Sequence, residues 1–359
     1  MRQCDIVIVC ALFDPELTAV LRTGASDGVH WREVGGGLHD VQIYHHSYWH
    51  ASPGTKLSVI AAAATQMGMS AAASLTTKLI LRCRPSLVVM PGIAAGVSSA
   101  KQQYGDILAP EQTFDYTAGK VSSIDEKAIF QPDPKPLPVR RELVARLREW
   151  EKKRALLAPI SDAWSAPKPA KALSLRVGTL GSGTAVIDHR KVVSDVLSDF
   201  RKLIGVEMEA YGVHRACEDT VAGGVPMLCA KSICDFAQNK SDRWQGYAAF
   251  SSAEFCYRFI LAEWSRLRLP PAARRPRLPG SQAPRSGGQP SGDGQRLFLQ
   301  RVRREFPLRT FAEISQAMGK HPGIDDFVRA MSGPDDDKGR HERFSSECRR
   351  LYARARGAE

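Results

Sequence analysis

The feature of this sequence that most constrains its fold is a series of short apolar runs separated by stretches with helical patterning. Each run is rich in β-branched or small apolar residues and is shorter than an ordinary helix, so each predicts a buried strand. The predicted strands cover residues 5–10, 57–64, 86–90, 175–180, 203–206 and 226–233. Strands that alternate with helices favour an α/β fold with a mainly parallel sheet. Residues 41–50 alternate loosely and predict an additional, antiparallel strand.

The composition is that of a globular protein, and the 359 residues leave room for one large domain and a smaller module. The eight cysteines are scattered and form no CxxC pair, which favours reduced thiols over a disulfide framework or a zinc site. The first apolar run meets acidic residues at once, unlike a signal peptide. No apolar run approaches the roughly 20 residues of a membrane-spanning helix. We therefore expect a soluble, cytoplasmic protein that does not associate with membranes.

Changes in composition divide the chain into three parts. Residues 1–264 carry all the predicted strands and form the larger α/β domain. Within it, residues 121–172 contain a proline-rich loop and a charged amphipathic helix, and predict an insertion on the surface of this domain, as a lid or an oligomer contact. Residues 265–295 are rich in Pro, Gly, Ser and Arg and predict an extended linker. Residues 296–359 regain helical patterning and predict a small all-α domain.

The net charge of +12 is concentrated near the predicted linker. Between residues 265 and 300 the chain has seven arginines and a single acidic residue, Asp293. A basic tract of this kind can bind nucleic acid or an anionic surface. Because aromatic residues are not interleaved with the arginines, we favour a solvated linker and do not expect nucleic acid as a partner.

Three acidic side chains are predicted to follow the carboxyl ends of strands. Glu16 comes just after the first strand, Glu209 lies at a strand-to-helix corner, and Asp235 follows the last strand. Open α/β sheets bind their ligands at this edge. Glycine-rich segments at 92–96 and 181–183 follow two other strands, where glycine lets the backbone approach a ligand closely. An acid at a helix N-terminus is also favourable without any function, so spacing alone leaves both interpretations open.

Five sequence motifs, taken in order, resemble the nucleoside phosphorylase and methylthioadenosine (S-adenosylhomocysteine) nucleosidase superfamily. They are ALFDPEL, MPGIAAGV followed by YGDIL, GSGTAVI, GVEMEAYG and SICDFAQNKSDRWQGYAA, all within residues 1–264. The resemblance implies an α/β domain with a mixed, partly barrel-like sheet flanked by helices, assembled as a homodimer or a higher homo-oligomer. It also implies cleavage of the N-glycosidic bond of a purine nucleoside or nucleotide, without a metal or an organic cofactor.

The same resemblance assigns roles to individual residues. Asp235 would be the general acid that protonates the leaving purine, and Glu16 would activate the attacking water. Glu209 would bind the ribose hydroxyls, with Met208 packed against the ribose or the base. These roles suit a reaction that passes through an oxocarbenium-like ribosyl cation and expels a poor leaving group. The other predicted substrate-binding residues are the purine-pocket pair Val186 and Ile187, together with Glu207, Gly92 and Ile93.

Departures from the family pattern indicate which reaction is favoured. Phosphorylases of this superfamily carry an arginine before the first glycine-rich loop, where this chain has Met90 and Pro91, and Ile93 occupies the position of a phosphate-binding serine. A phosphate would find neither a charge nor a hydroxyl there, so we expect hydrolysis. Cys234 replaces a serine beside the general acid, and Val186 replaces a common aromatic residue, which predicts weaker stacking of the base.

The leading hypothesis is therefore a hydrolase that releases adenine from a nucleoside or nucleotide. Its fusion to a helical module resembles bacterial signalling and antiviral defence effectors, in which residues 296–359 would bind a protein partner or regulator. A substrate with 5′ phosphates would need basic contacts, for which Lys231, Arg243 and the segment 121–172 are candidates. The alternatives are a phosphorolytic enzyme with a rebuilt phosphate site, and a catalytically idle purine sensor that signals through its C-terminal domain.

Overall fold

The computed structural model describes residues 3–35, 40, 42–52, 54–97, 101–124, 127–184, 202–236 and 242–270. These residues belong to the unit formed by Met1–Arg275. The predicted linker beyond residue 270 and the predicted helical domain over 296–359 lie outside the described residues.

The described part of the chain contains both predicted classes of secondary structure. Its strands are β1 (Ile6–Cys10), β2 (Arg32–Gly35), β3 (Ile43–Ser52), β4 (Thr55–Ala63), β5 (Leu87–Gly96), β6 (Ile107–Asp115), β7 (Gly119–Ile124), β8 (Lys127–Pro132), β9 (Leu137–Pro138), β10 (Leu175–Ser182), β11 (Leu203–Glu207) and β12 (Met227–Asp235). Its α-helices are α1 (Thr18–Val20), α2 (Met69–Cys83), α3 (Arg141–Lys152), α4 (Ala158–Asp162), α5 (Ala210–Asp219) and α6 (Gln245–Glu263). Each strand predicted from an apolar run is present.

Most strands join one mixed sheet with the order β11-β10-β6-β12-β5-β1-β4-β3-β2, and β9 pairs with β6. The pairs that β1 forms with β4 and β5 are parallel, whereas β12 with β6 and β3 with β4 are antiparallel. At the far end, β11 returns to pair antiparallel with β5, placing Gly205 opposite Gly96. The strands β5, β12, β6, β10 and β11 therefore close into a ring, which agrees with a partly barrel-like sheet.

Both faces of β1 are buried, which explains its uninterrupted apolar sequence. Ile6 and Ile8 face a core that includes Phe255 and Phe259 of α6. The alternate residue Val7 faces a second core formed with α2 and α5. Because successive side chains of a strand point to opposite faces, one short run anchors helices on both sides of the sheet.

The helix of the 121–172 segment belongs to the body of the domain. α3 directs Leu143, Leu147 and Trp150 into the same core as α6. Trp150 Nε1 donates a 3.0 Å hydrogen bond to Glu263 of α6, and Arg146 forms a salt bridge with the same carboxylate. The helix α3 is therefore packed into the main core, whereas the sequence predicts that this whole segment is an insertion on the surface.

The glycine-rich segment at residues 92–96 differs from its prediction. It was predicted to be a loop after a short strand ending at Met90, but β5 continues through it to Gly96. The extension allows β5 to pair with β12 over residues 88–95 and with β11 at its end. Pairing between strands distant in sequence thus overrides the local preference of glycine for loops.

A buried histidine makes the stability of this domain dependent on pH. His214 of α5 has its Nδ1 2.9 Å from Thr113 Oγ1. Burial lowers the pKa of His214 to about 4, below the value of about 6.5 in an unfolded chain. The unfolded chain therefore binds this proton first, and the folded domain loses stability as the pH falls from about 6.5 toward 4.

Lowering the pH from 7 to 5 should destabilise the domain by about 2 kcal/mol through His214 alone. Urea-induced unfolding of the native chain and of His214→Asn at both pH values measures this contribution. Asparagine can still bond Thr113 but does not titrate, so the native chain should lose about 2 kcal/mol more than the variant. An equal loss in both proteins would contradict the prediction.

Candidate active site

An open cleft lies at the carboxyl ends of β1, β5, β11 and β12. It contains about 550 Å³ of space, including open solvent at its mouth. Its lining residues are Ala11, Leu12, Glu16, Met67, Ile93, Ala94, Ala95, Val206, Glu207, Met208, Glu209, Cys234, Asp235 and Gln245. Every predicted site residue that the structure describes, apart from Gly92, is among them.

Glu16 is held at the floor of this cleft by backbone groups. Its Oε2 accepts hydrogen bonds from the N–H groups of Ala11 and Leu12, at 2.7 and 3.1 Å, and its Oε1 accepts one from Ile93 at 2.9 Å. A carboxylate offers about four acceptor positions. Glu16 is therefore fixed in orientation and retains capacity for one further donor, such as a water.

Glu207 and Glu209 are two residues apart but have different surroundings. Glu207 accepts hydrogen bonds from the N–H groups of Glu209 and Ala210 at the start of α5, and from Ser182 Oγ at 2.5 Å. A carboxylate at a helix N-terminus is stabilised by the unpaired N–H groups and the helix dipole. Glu207 therefore has the structural role of an acid at a helix N-terminus, an interpretation that spacing alone leaves open.

Glu209 points away from that helix end. Its Oε1 accepts a 2.8 Å hydrogen bond from the N–H of Gly68, just before α2. Burial raises the pKa of Glu209 to about 7; Lys231 opposes this shift, and neighbouring carboxylates add to it. Near neutral pH, Glu209 can therefore accept or donate a hydrogen bond, which suits contact with a hydroxyl group.

Lys231 of β12 is the centre of this acidic cluster. Its side chain is fully buried, and its Nζ lies 3.7 Å from Glu16, 3.6 Å from Glu207 and 4.0 Å from Glu209. Burial alone would lower the pKa of Lys231, but the three carboxylates outweigh it and raise that pKa above its ordinary value. Nζ has no hydrogen-bond partner among the described residues. The three contacts are therefore ion pairs that are longer than a direct hydrogen bond.

Sequence reasoning named Lys231 only as a candidate phosphate contact, and the structure argues against that role. The ammonium group is buried behind the carboxylates that surround it, so a phosphate could reach it only by displacing them. The signal was available in the sequence, because a lysine in the middle of an apolar strand is almost never buried unless it is paired. Its three partners come from distant parts of the chain.

Gly92 lies beneath the cluster and allows it to form. A Cβ at this position would lie 2.2 Å from Glu16 Oε1 and 2.6 Å from Lys231 Nζ. The absent side chain therefore makes room for the ion pair, whereas the sequence had suggested that it made room for a ligand. The N–H of Gly92 donates a 3.0 Å hydrogen bond to Ser252 of α6, which fixes the strand there.

Replacing Gly92 with alanine should displace Glu16 and Lys231 and destabilise the domain by about 1–3 kcal/mol, as overpacked cores do. Gly35→Ala is the matched control, because nothing lies within 4 Å of the Cβ it would add. Thermal unfolding of both variants measures the difference. Equal unfolding temperatures would contradict the crowding argument.

Asp235 and Met208 face the same cleft. Asp235 is the last residue of β12 and is half-buried, with the thiol of Cys234 3.4 Å from its Oδ2. The Cys234 thiol is also 3.6 Å from the carbonyl oxygen of Ala94, so it links the acid to β5. Met208 is half-buried between the two glutamates that flank it in sequence. Val186 and Ile187 lie outside the described residues.

A sequence model of the phosphorylase superfamily matches residues 5–254. The chain belongs to the phosphorylase superfamily. The uncharacterized protein y4jS of Sinorhizobium fredii is 34% identical over 255 residues, which cover 70% of this chain and 60% of that relative. ATP nucleosidase Cap17 of Escherichia coli is 27% identical over 279 residues, which cover 72% of this chain and 52% of the relative. The matched part of the chain thus spans only half to three fifths of these relatives.

Comparison with solved structures confirms the phosphorylase superfamily fold. The 5′-methylthioadenosine/S-adenosyl homocysteine nucleosidase of Helicobacter pylori aligns with a TM-score of 0.54 and 21% identity, covering 72% of this chain and 99% of that protein. The predicted fold class, a mixed sheet flanked by helices, is therefore confirmed for the larger domain.

Among the described residues, no basic side chain lines the cleft. Met90 is completely buried, and the N–H of Ile93 is occupied by Glu16.

In the described ranges, no group of three or more His, Cys, Asp or Glu side chains could hold a metal ion. No helix within those ranges is long and apolar enough to cross a membrane.

Proposed function

We propose that this protein hydrolyses the N-glycosidic bond of an adenine nucleoside or nucleotide and releases the free base. The observation that carries the proposal is the placement of Asp235 and the Glu16–Lys231–Glu209 cluster around one cleft. An acid for the leaving base, carboxylates for a developing sugar cation and a place for water are thereby brought together. Superfamily membership and the similarity to ATP nucleosidase Cap17 support this choice.

The proposed reaction begins with departure of the base. Asp235 donates a proton to the purine ring as the bond from C1′ to the ring nitrogen breaks and its electron pair passes to the base. The ribosyl group becomes cation-like, and the buried carboxylates stabilise this charge in a site of low dielectric. Glu209 holds the ribose hydroxyls and fixes the sugar relative to Asp235.

Water then completes the reaction. In our proposal a water enters the cleft and donates a hydrogen bond to Glu16, which lines the cleft and retains capacity for one further donor. Donating one hydrogen to Glu16 leaves an oxygen lone pair of this water free to face the sugar. The water oxygen bonds to C1′, and Glu16 accepts the proton that the water loses.

Hydrolysis is favoured over phosphorolysis by the charge of the site. Glu16, Glu207 and Glu209 surround one lysine, and the described lining residues include no basic side chain. A phosphate nucleophile would enter a region with excess negative charge and no guanidinium to bind it. A neutral water is not repelled in this way.

The role of the whole chain is a separate proposal. We infer that residues 296–359 couple the hydrolase to a protein partner or regulator, as in a triggered defence effector, and that the larger domain forms a homo-oligomer. Similarity to ATP nucleosidase Cap17, over 72% of this chain, supports only the base-releasing part of this proposal. Size-exclusion chromatography with light scattering on the full chain would test the second.

The deciding experiment is chromatographic detection of free base after incubation of the full chain with a panel of substrates. The panel contains adenosine, methylthioadenosine, inosine, and the mono- and triphosphates of adenosine and guanosine, each with and without inorganic phosphate. Phosphate-independent adenine release would support the proposal. Stimulation by phosphate would favour phosphorolysis, whereas purine binding without turnover would favour a sensor.

A further inference from the structure

A row of aromatic rings leads outward from Asp235. Phe236, the next residue, meets Tyr104 edge-on with ring centroids 5.2 Å apart. Tyr104 is stacked with Trp244 at 5.8 Å, and the guanidinium of Arg243 lies over the Trp244 ring at 4.8 Å. Tyr104 and Trp244 are part-exposed, and Arg243 is exposed. The row therefore ends in a positive charge at the surface, next to the cleft-lining Gln245.

The floor of the cleft excludes a phosphate chain. Three carboxylates surround the single buried ammonium of Lys231, and like charges in a buried site repel strongly. The described lining residues supply no other cation. A nucleotide could bind here only with its phosphates directed away from the cluster.

The proposed orientation of the substrate directs its phosphates to the mouth of the cleft. Glu209, which would bind the 2′ and 3′ hydroxyls, is 5% exposed, so this face of the ribose turns inward. The 5′ carbon leaves the opposite side of the ring and points toward the exposed rim, where Met67 is 52% exposed and Gln245 lines the opening. Asp242 lies at the same rim, but its carboxylate accepts a 2.6 Å hydrogen bond from Gln245.

We propose that Arg243, whose guanidinium lies over the Trp244 ring, forms a subsite for the phosphate chain of a purine nucleotide, so that nucleotides rather than nucleosides are the preferred substrates. This inference rests on the proposed function. Guanidinium groups bind phosphate oxygens through paired hydrogen bonds, and stacking on an indole ring reduces the freedom that binding must remove. The aromatic row connects this subsite to the strand end that carries Asp235.

The test compares ATP with adenosine in the full chain, in Arg243→Ala and in Arg243→Lys. We expect the ratio of kcat/KM for ATP to that for adenosine to fall about tenfold to a hundredfold in Arg243→Ala, as for the loss of a charged hydrogen bond. Lysine should restore part of the ratio, because it retains the charge without the planar pair of donors. Raising the salt concentration should lower kcat/KM for ATP more than for adenosine in the native chain.

Arg215→Ala is the matched control, because Arg215 is an exposed arginine of α5 paired only at the surface with Asp219. An unchanged ratio in Arg243→Ala, or a native chain that prefers adenosine, would overturn the proposal. Calorimetric binding of ATP and adenosine serves as an independent measurement. If the native chain hydrolyses neither compound, the proposed function fails, and the loss or retention of selective ATP binding in Arg243→Ala decides the subsite.

Discussion

Replacing Asp235 with asparagine should reduce the rate of adenine release by about 10²–10⁴-fold, the usual contribution of a general acid. Asparagine has nearly the same shape, so it preserves the packing at the end of β12 but has no acidic proton to transfer. The purine would then have to depart as an anion. Single-turnover measurement of free base isolates this step from product release.

Two controls separate this chemical effect from a folding defect. Asp219→Asn changes an exposed aspartate at the end of α5 and should retain the native rate. The unfolding temperature of Asp235→Asn should remain close to that of the native chain, because Asp235 is only half-buried and asparagine has nearly the same shape. Full activity in Asp235→Asn would remove Asp235 from the mechanism.

Replacing Lys231 with methionine should have the largest effect on stability. Methionine fills a similar volume but leaves three carboxylates together in a buried site without a cation. Breaking a buried ion pair by removing one partner costs about 3–5 kcal/mol. We expect a loss of at least this size at pH 8, measured by urea-induced unfolding, with Lys202→Met as the exposed control.

The pH dependence of Lys231→Met identifies the cause of this loss. Without the ammonium group, the pKa of Glu209, already about 7 in the native protein, should rise further. A carboxyl whose folded pKa lies above its unfolded value binds its proton first in the folded state, so stability increases as the pH falls through that interval. The variant should therefore recover part of its stability between pH 8 and 6 relative to Lys202→Met. A constant difference would indicate lost packing instead.

Elements determined by local patterning could be predicted from the sequence. The strand over 203–206 and the helix that follows Glu209 are specified by adjacent residues, and both are present as β11 and α5. The family and the fold class of the larger domain are confirmed as well. The catalytic and binding roles of the site residues stay predictions.

Features that depend on distant contacts could not be predicted from the sequence. Strand β5 continues through Gly92 and Gly96 because β12 and β11 supply hydrogen bonds that no local pattern reveals. Lys231 becomes the centre of the acidic cluster only when Glu16, Glu207 and Glu209 meet around it, and they come from two other segments of the chain. Val186 and Ile187, the predicted purine contacts, themselves lie outside the described residues.

The position of β12 within the sheet has a consequence for how the protein is made. This strand carries Lys231 and Asp235, is the last strand of the described domain, and inserts between β5 and β6. Chains emerge from the ribosome with the N-terminus first. A nascent chain therefore contains its glutamates and most of its sheet before it has either the cation that holds those acids together or the proposed acid. The proposed base-releasing activity would therefore be absent until synthesis of the domain is almost complete.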